Sequence, residues 1–242
     1  MIDYTIIPVS SVVMISALIY GVFGFGYALI CLALLPYFIS VKIAVPMIAM
    51  QAPFYTGYLL FNLRHHLTLR YVTPLLFGLI LGLPLGVNLL RVLSEETIRL
   101  FLGAFILLYC FCSTRRSFPA RPLISNNAWG LLAGFLSGVV GGAIVASGPI
   151  IVTYLTLKGL KKEELKATFL IWAMTMCCLL APFYALSGVL TYQAFLWGVI
   201  TIPFAALGLF FGVRLFNTIK EQIFYRLILI FLVFTGIRLL VS

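Results

Sequence analysis

The chain alternates between long apolar runs and short charged interruptions, so the charges act as a ruler. Tyr4 to Val41 carries no charged residue over 38 positions, Ile43 to Leu63 none over 21, Tyr71 to Leu90 none over 20, and Leu100 to Thr114 none over 15. Pro122 to Leu157 is a run of 36 and Ala167 to Val213 one of 47, the latter divided by the turn-like Leu186-Ser187-Gly188. A last segment extends from about Ile223 to Leu240. A spanning helix takes about 20 apolar residues, so most runs predict one span and the run of 47 predicts two. Strands of a membrane barrel would alternate apolar and polar residues in segments of about ten. These runs are continuous, which predicts helices throughout.

The runs of 38 and 36 are too long for one ordinary helix and tight for two. Each has a glycine cluster near its middle: Gly21-Val22-Phe23-Gly24-Phe25-Gly26 and Gly138-Val139-Val140-Gly141-Gly142. Glycine interrupts helices and adopts unusual backbone angles. Each run is therefore read as a helical hairpin that enters and leaves on one side, over about 4–41 and about 122–157. The basic residues support this. With both runs as single spans, the 16 Lys and Arg divide ten to six between the two sides. With both as hairpins, Lys42, Arg91, Arg99 and Arg238 face twelve others. The sharper split suits the positive-inside rule, and both arrangements put both termini outside.

The pattern also repeats. Gly82, Gly86, Val87 and Glu95 match Gly208, Gly212, Val213 and Glu221 at an offset of 126, and Gly21, Val22 and Gly24 match Gly138, Val139 and Gly141 at 117. Leu67-Thr68 matches Leu190-Thr191 at 123. Two repeats are expected in one membrane domain, 1–116 and 117–242, each a hairpin plus three spans. Three spans is an odd number, so the second repeat enters upside down. That is the inverted-repeat plan of many secondary transporters.

Composition excludes the remaining classes. Of 242 residues, 63% are hydrophobic and 9% charged, against roughly a quarter charged in soluble domains. Neither a soluble fold nor a disordered chain has this balance, and no soluble second domain fits. The start of the chain offers only Asp3 where a signal peptide needs positive charge. The net charge of +10 is the positive-inside bias rather than a nucleic-acid surface. Cys31, Cys110, Cys112, Cys177 and Cys178 lie in apolar runs with no paired CxxC motif, so they are read as small buried side chains and no metal or cofactor is expected.

Candidate chemistry centres on the glycine clusters. The second arm of each hairpin would begin near the midplane, around Gly26 and around Ala143. A helix N-terminus presents N–H donors and a partial positive charge, so two such termini facing one cavity can hold an anion without a formal charge. The substrate-binding residues expected are Gly24, Phe25, Gly26, Tyr27, Gly141, Gly142, Ala143 and Ser147, with Gln51 and Thr175 as inward-facing polar side chains. On this reading, Gly142→Leu stops transport in a folded protein. Gly130, Gly134, Gly138 and Gly142 also lie four apart, a small-residue seam compatible with the tip role. Gly78, Gly82, Gly86, Gly208 and Gly212 read as plain helix packing. All six acidic residues flank spans, and His65 and His66 read as a loop pair. With no carboxylate to bury, coupling falls to the substrate's own protonation, to an ion held by backbone oxygens, or to nothing.

Val145-Ala146-Ser147-Gly148 approaches the Gly-x-Ser-Gly of intramembrane serine proteases. A serine nucleophile needs a base, and no histidine follows it. An enzyme is not expected. An anion channel of the same fold, or a membrane assembly or sensor subunit without flux, remains open.

The order of motifs is similar to that of the TauE/SafE family of membrane proteins, the sulfite exporters. The first half has Gly21-x-x-Gly24-x-Gly26, Val41-Lys42-Ile43-Ala44, Gly82-x-x-x-Gly86 and Ser94-Glu95-Glu96. The second has Gly138-Val139-Val140-Gly141-Gly142, Pro149, Lys162-Glu163-Glu164-Leu165-Lys166-Ala167 and Gly208-x-x-x-Gly212. Phe25 stands where the family commonly runs three glycines together, and the second cluster has only Gly141-Gly142. The resemblance implies a multi-pass exporter in the cell inner membrane that moves sulfite, sulfoacetate or related organosulfonates outward. The partners expected are a small anion and the lipid bilayer, with a homodimer compatible and no nucleic acid.

Overall fold

The computed structural model describes residues 4–24, 26–63, 69–114, 127–160 and 162–215, and most of 230–240. The described residues are helical, joined by turns and loops, with no strand among them. Helices run α1 (Ile6–Phe23), α2 (Tyr27–Leu34), α3 (Val41–Leu63), α4 (Leu69–Val92), α5 (Glu95–Thr114), α6 (Ala128–Ile144), α7 (Gly148–Leu157), α8 (Lys162–Leu186) and α9 (Tyr192–Leu215), with a single 3-10 turn over Leu35–Tyr37. Further helical residues lie within 230–240. Among the described residues, four helices are long and apolar enough to cross a membrane: Val41–Phe61 of α3, Arg70–Val92 of α4, Glu163–Leu186 of α8 and Tyr192–Leu215 of α9. Large side chains such as Phe54, Phe61, Phe77, Leu81, Phe101 and Phe211 are exposed. On a soluble protein such a surface would be a liability; on a polytopic membrane protein it is the lipid face. The boundary at 116–117 and the histidines His65 and His66 lie outside the described residues.

Both long apolar runs are broken helices that double back. Tyr20, before the first break, meets Thr56 of α3 through their hydroxyls at 3.1 Å. Tyr27, after the break, donates to Gln51 of α3 at 2.7 Å. The Tyr20 and Tyr27 rings lie 6.2 Å apart, and further along, Cys31 of α2 meets Ser16 of α1; numbers rise on one helix as they fall on the other, so α2 reverses the direction of α1. The second run reverses too. The Tyr154 hydroxyl of α7 lies 2.8 Å from where a side chain on Gly130 would begin, at the far end of α6. On the return from the first hairpin, the Ser40 hydroxyl donates to Glu95 at 2.6 Å and Glu95 accepts from Arg99 at 2.9 Å. That contact ties the foot of α3 to the start of α5.

Two glycine seams hold the hairpins to the spans. Along α4 and α6, a Cβ on Gly82 would fall on the Phe135 carbonyl oxygen, and one on Gly134 on the Leu75 carbonyl oxygen. Along α1 and α9, a Cβ on Gly208 would fall on the Met14 carbonyl oxygen and one on Gly212 on that of Leu18. Residue numbers rise together in both seams, so each pair of helices runs parallel. The pairing is reciprocal: the first helix of each hairpin packs against a span of the other half. Small residues permit this backbone approach, which replaces the hydrophobic driving force absent between helices in lipid. Near the chain end, Gly103 of α5 meets Gly236 and Leu239 in the same manner.

The breaks have different local causes. α1 ends at Gly24, whose φ of 76° lets its N–H bond the Tyr20 carbonyl at 2.6 Å. That is a left-handed glycine cap, and Gly26 follows with φ 95°. In the second run the glycine cluster stays inside α6, and the break comes later, at Val145-Ala146-Ser147. The expected start of the second arm near Ala143 is thus corrected to Gly148. Gly138 and Gly142 are committed to the α4 seam, and the helix stops only at Val145, a β-branched residue with φ 57°. Such a conformation costs on the order of 1–3 kcal/mol and persists only where the surroundings enforce it. Pro149 then opens α7, where a residue without an N–H costs no ladder bond.

Candidate functional site

The two breaks open onto one cavity of about 60 Å³. From the first hairpin, Gly26, Tyr27, Ala28 and Leu29 reach it; from the second, Val145 to Pro149 do. α3 adds Ala52, Tyr55 and Thr56, and α8 adds Phe169, Trp172, Ala173, Met176 and Cys177. None of these lining residues carries a formal charge. Irregular backbone at membrane depth is tolerated only inside protein or against a cavity, and Ala146 and Ser147 are 2% and 0% exposed.

Both return helices begin at the cavity wall. The first ladder bond of α2 runs from the Ile30 N–H to the Gly26 carbonyl at 3.0 Å, so the N–H groups of Tyr27, Ala28 and Leu29 precede that ladder. In α7 the Ile150 N–H bonds the Ser147 carbonyl at 3.1 Å, leaving the Gly148 N–H ahead of it and none on Pro149. Two partial positive ends therefore face the same small space. Ser147 adds a hydroxyl that is fully buried and donates to the Met176 sulfur at 3.3 Å. Thioether sulfur is a weak acceptor, so an oxyanion would displace it. Tyr20, Tyr27 and Tyr55 form an aromatic cluster, with Tyr27 and Tyr55 ring centres 4.4 Å apart.

The expected residues separate into groups. Gly26, Tyr27 and Ser147 meet at the cavity. Phe25 lies outside the described residues. Gly24 carries the cap of α1, and the Lys166 side chain lies over it. Gly141 packs against Met176 and Ser147. Gly142 faces α4, with the Leu83 carbonyl and the Val87 nitrogen each 2.8 Å from its Cβ position, while its own carbonyl accepts from Tyr184 at 2.7 Å. Ala143 is buried near the end of α6, two residues before Val145. The Thr175 hydroxyl is bonded back to the Ile171 carbonyl at 2.8 Å, within its own helix.

Gln51 is buried and stands behind Tyr27 rather than at the cavity wall. Its carbonyl accepts from the Tyr27 hydroxyl, and its amide donates to the Gly198 carbonyl at 2.9 Å and to Thr201. It thereby joins the start of α2 to α9. Thr56, one of the few polar residues within the spans, is at the cavity, while Tyr55, Trp172 and Met176 are cavity residues the sequence reading did not select. Their signal was weak, because each sits in an apolar helix face that reads equally as core. Cys31, Cys110 and Cys177 are buried, as expected, but Cys178 is exposed on the outside of α8.

Two broken hairpins around a buried, uncharged, donor-lined cavity are a broken-helix plan found in many membrane transporters. The chain matches the family described as Sulfite exporter TauE/SafE over residues 9–239, and it belongs to that family of membrane transporters. No match was found among curated proteins or among solved structures.

Proposed function

We propose that this protein exports small sulfur-containing anions, of the sulfite, sulfoacetate or organosulfonate kind, by alternating access. The observation that carries the proposal is the convergence of the α2 and α7 N-termini on one cavity with no charged wall. Donors without a compensating cation favour a small anion and release it readily. The reciprocal seams of α1 with α9 and α4 with α6 support an inverted-repeat plan, in which the two halves exchange roles as access alternates. The 12:4 division of basic residues under the hairpin arrangement supports both termini facing outward. The described carboxylates, Glu95, Glu96, Glu163 and Glu164, stand at helix starts, which supports coupling through the anion's own protonation rather than through a buried acid.

The test is flux of sulfite and sulfoacetate in proteoliposomes, with chloride, sulfate and taurine as competitors. Saturable flux with counterflow is expected. Linear, non-saturating flux would make the protein a channel, and absence of flux in folded protein would remove the transport reading.

A further inference from the structure

Trp172 of α8 is 1% exposed, lines the cavity between the two breaks, and has an indole Nε1–H without a hydrogen-bond partner. Leaving a buried donor unpaired is costly, so such groups call for an explanation. Trp172 packs against Phe169, with ring centres 6.0 Å apart, and this contact fixes the ring without using its N–H. The indole N–H of Trp197 is also unpartnered, but Trp197 is not part of the cavity wall.

We propose that Trp172 is a ligand-binding residue of this cavity, donating its indole N–H to one oxygen of a compact oxyanion held between the N-termini of α2 and α7. The inference rests on the anion-transport reading and names one donor of its site. The cavity of about 60 Å³ has room for several waters or a small oxyanion. Every donor facing the ion is neutral: the opening N–H groups of α2 and α7, the Ser147 hydroxyl and the Trp172 indole. An indole has a donor and no acceptor, so it selects for oxyanions with a bare oxygen at that point and gives nothing to a cation.

The test uses the full-length protein with sulfite as probe. In proteoliposomes, Trp172→Phe keeps the ring packing and removes the donor. A hydrogen bond to an ion is worth enough to raise the sulfite KM by about tenfold or more, while Trp197→Phe leaves it unchanged. An unchanged KM in Trp172→Phe alongside an active parent would overturn the proposal. A second readout does not depend on transport. In ¹⁵N-indole-labelled protein, the Trp172 signal shifts on sulfite titration. The signal is assigned by its loss in Trp172→Phe or, should that variant not fold, by its survival in a protein lacking Trp129 and Trp197. A Trp172 signal that ignores sulfite would refute the assignment whether or not flux is seen. A shifted signal without flux would support the site and reject the transport reading alone.

Discussion

Gly142 and Gly148 lie six residues apart, on either side of the second break, and the structure predicts opposite consequences for adding one methyl group at each. At Gly142 a Cβ would stand 2.8 Å from the Leu83 carbonyl oxygen, 2.8 Å from the Val87 nitrogen and 2.9 Å from the Gly86 Cα. All three belong to backbone, so no side chain can rotate aside. Ordinary contact needs roughly half an ångström more, which α4 and α6 must supply by separating along the whole seam. Overpacking of this kind costs about 1–3 kcal/mol, and Leu adds far more. Gly142→Leu, expected from sequence to be folded and inactive, is therefore expected to lose the α4–α6 interface instead. At Gly148 the added Cβ meets only the Phe169 ring, at 3.5 Å, and the residue opens α7 with no positive φ. Gly148→Ala should raise stability by about 0.4–1 kcal/mol through the unfolded chain while placing a methyl at the cavity edge beside the α7 donor. The assay is thermal unfolding in detergent paired with sulfite flux. Gly142→Ala lowers the midpoint; Gly148→Ala holds or raises it and reduces flux several-fold. A Gly142→Ala protein as stable as the parent would refute the seam. A stable Gly148→Ala protein with parental flux would refute the placement of the anion at α7.

Two further outcomes follow from the same geometry. Gln51→Leu strips the Tyr27 hydroxyl of its acceptor and removes the amide bonds to Gly198 and Thr201, so it should destabilise by about 1–3 kcal/mol and lower flux beyond what the lost folded fraction explains; full flux in the remaining folded protein would show that Gln51 does not position Tyr27. Reporter fusions at each terminus test the sidedness: alkaline phosphatase should be active and green fluorescent protein dark at both ends, and the reverse pattern at either end would refute the outward placement of that terminus.

The fold class was legible from the amino-acid order, for a plain physical reason. A bilayer demands runs of a set length and leaves charge only at their ends, so the runs and their basic flanks reported helices, hairpins and the four-apart glycine seams without any knowledge of contacts. Local backbone chemistry was legible as well: Gly24 and Gly26 break the first run where their cluster stands. The second break was not. Gly138 and Gly142 look like a break in isolation, yet α4 lies against them, and packing turned the same residue type into a seam. The stop fell instead on Val145, with Pro149 as the available but unweighted signal. The site divided along the same line. That two helix starts could hold an anion followed from their donors, which are properties of the chain itself. Which side chains meet those donors depended on how α3 and α8 pass the tips, hundreds of atoms away in sequence. Gln51 went behind Tyr27, Thr175 turned to its own helix, and Trp172, indistinguishable from core in an apolar run, arrived at the cavity with its donor unpaired. Periodicity and charge are one-dimensional and survive in the sequence; the partner of a buried polar group is chosen only when distant helices pack.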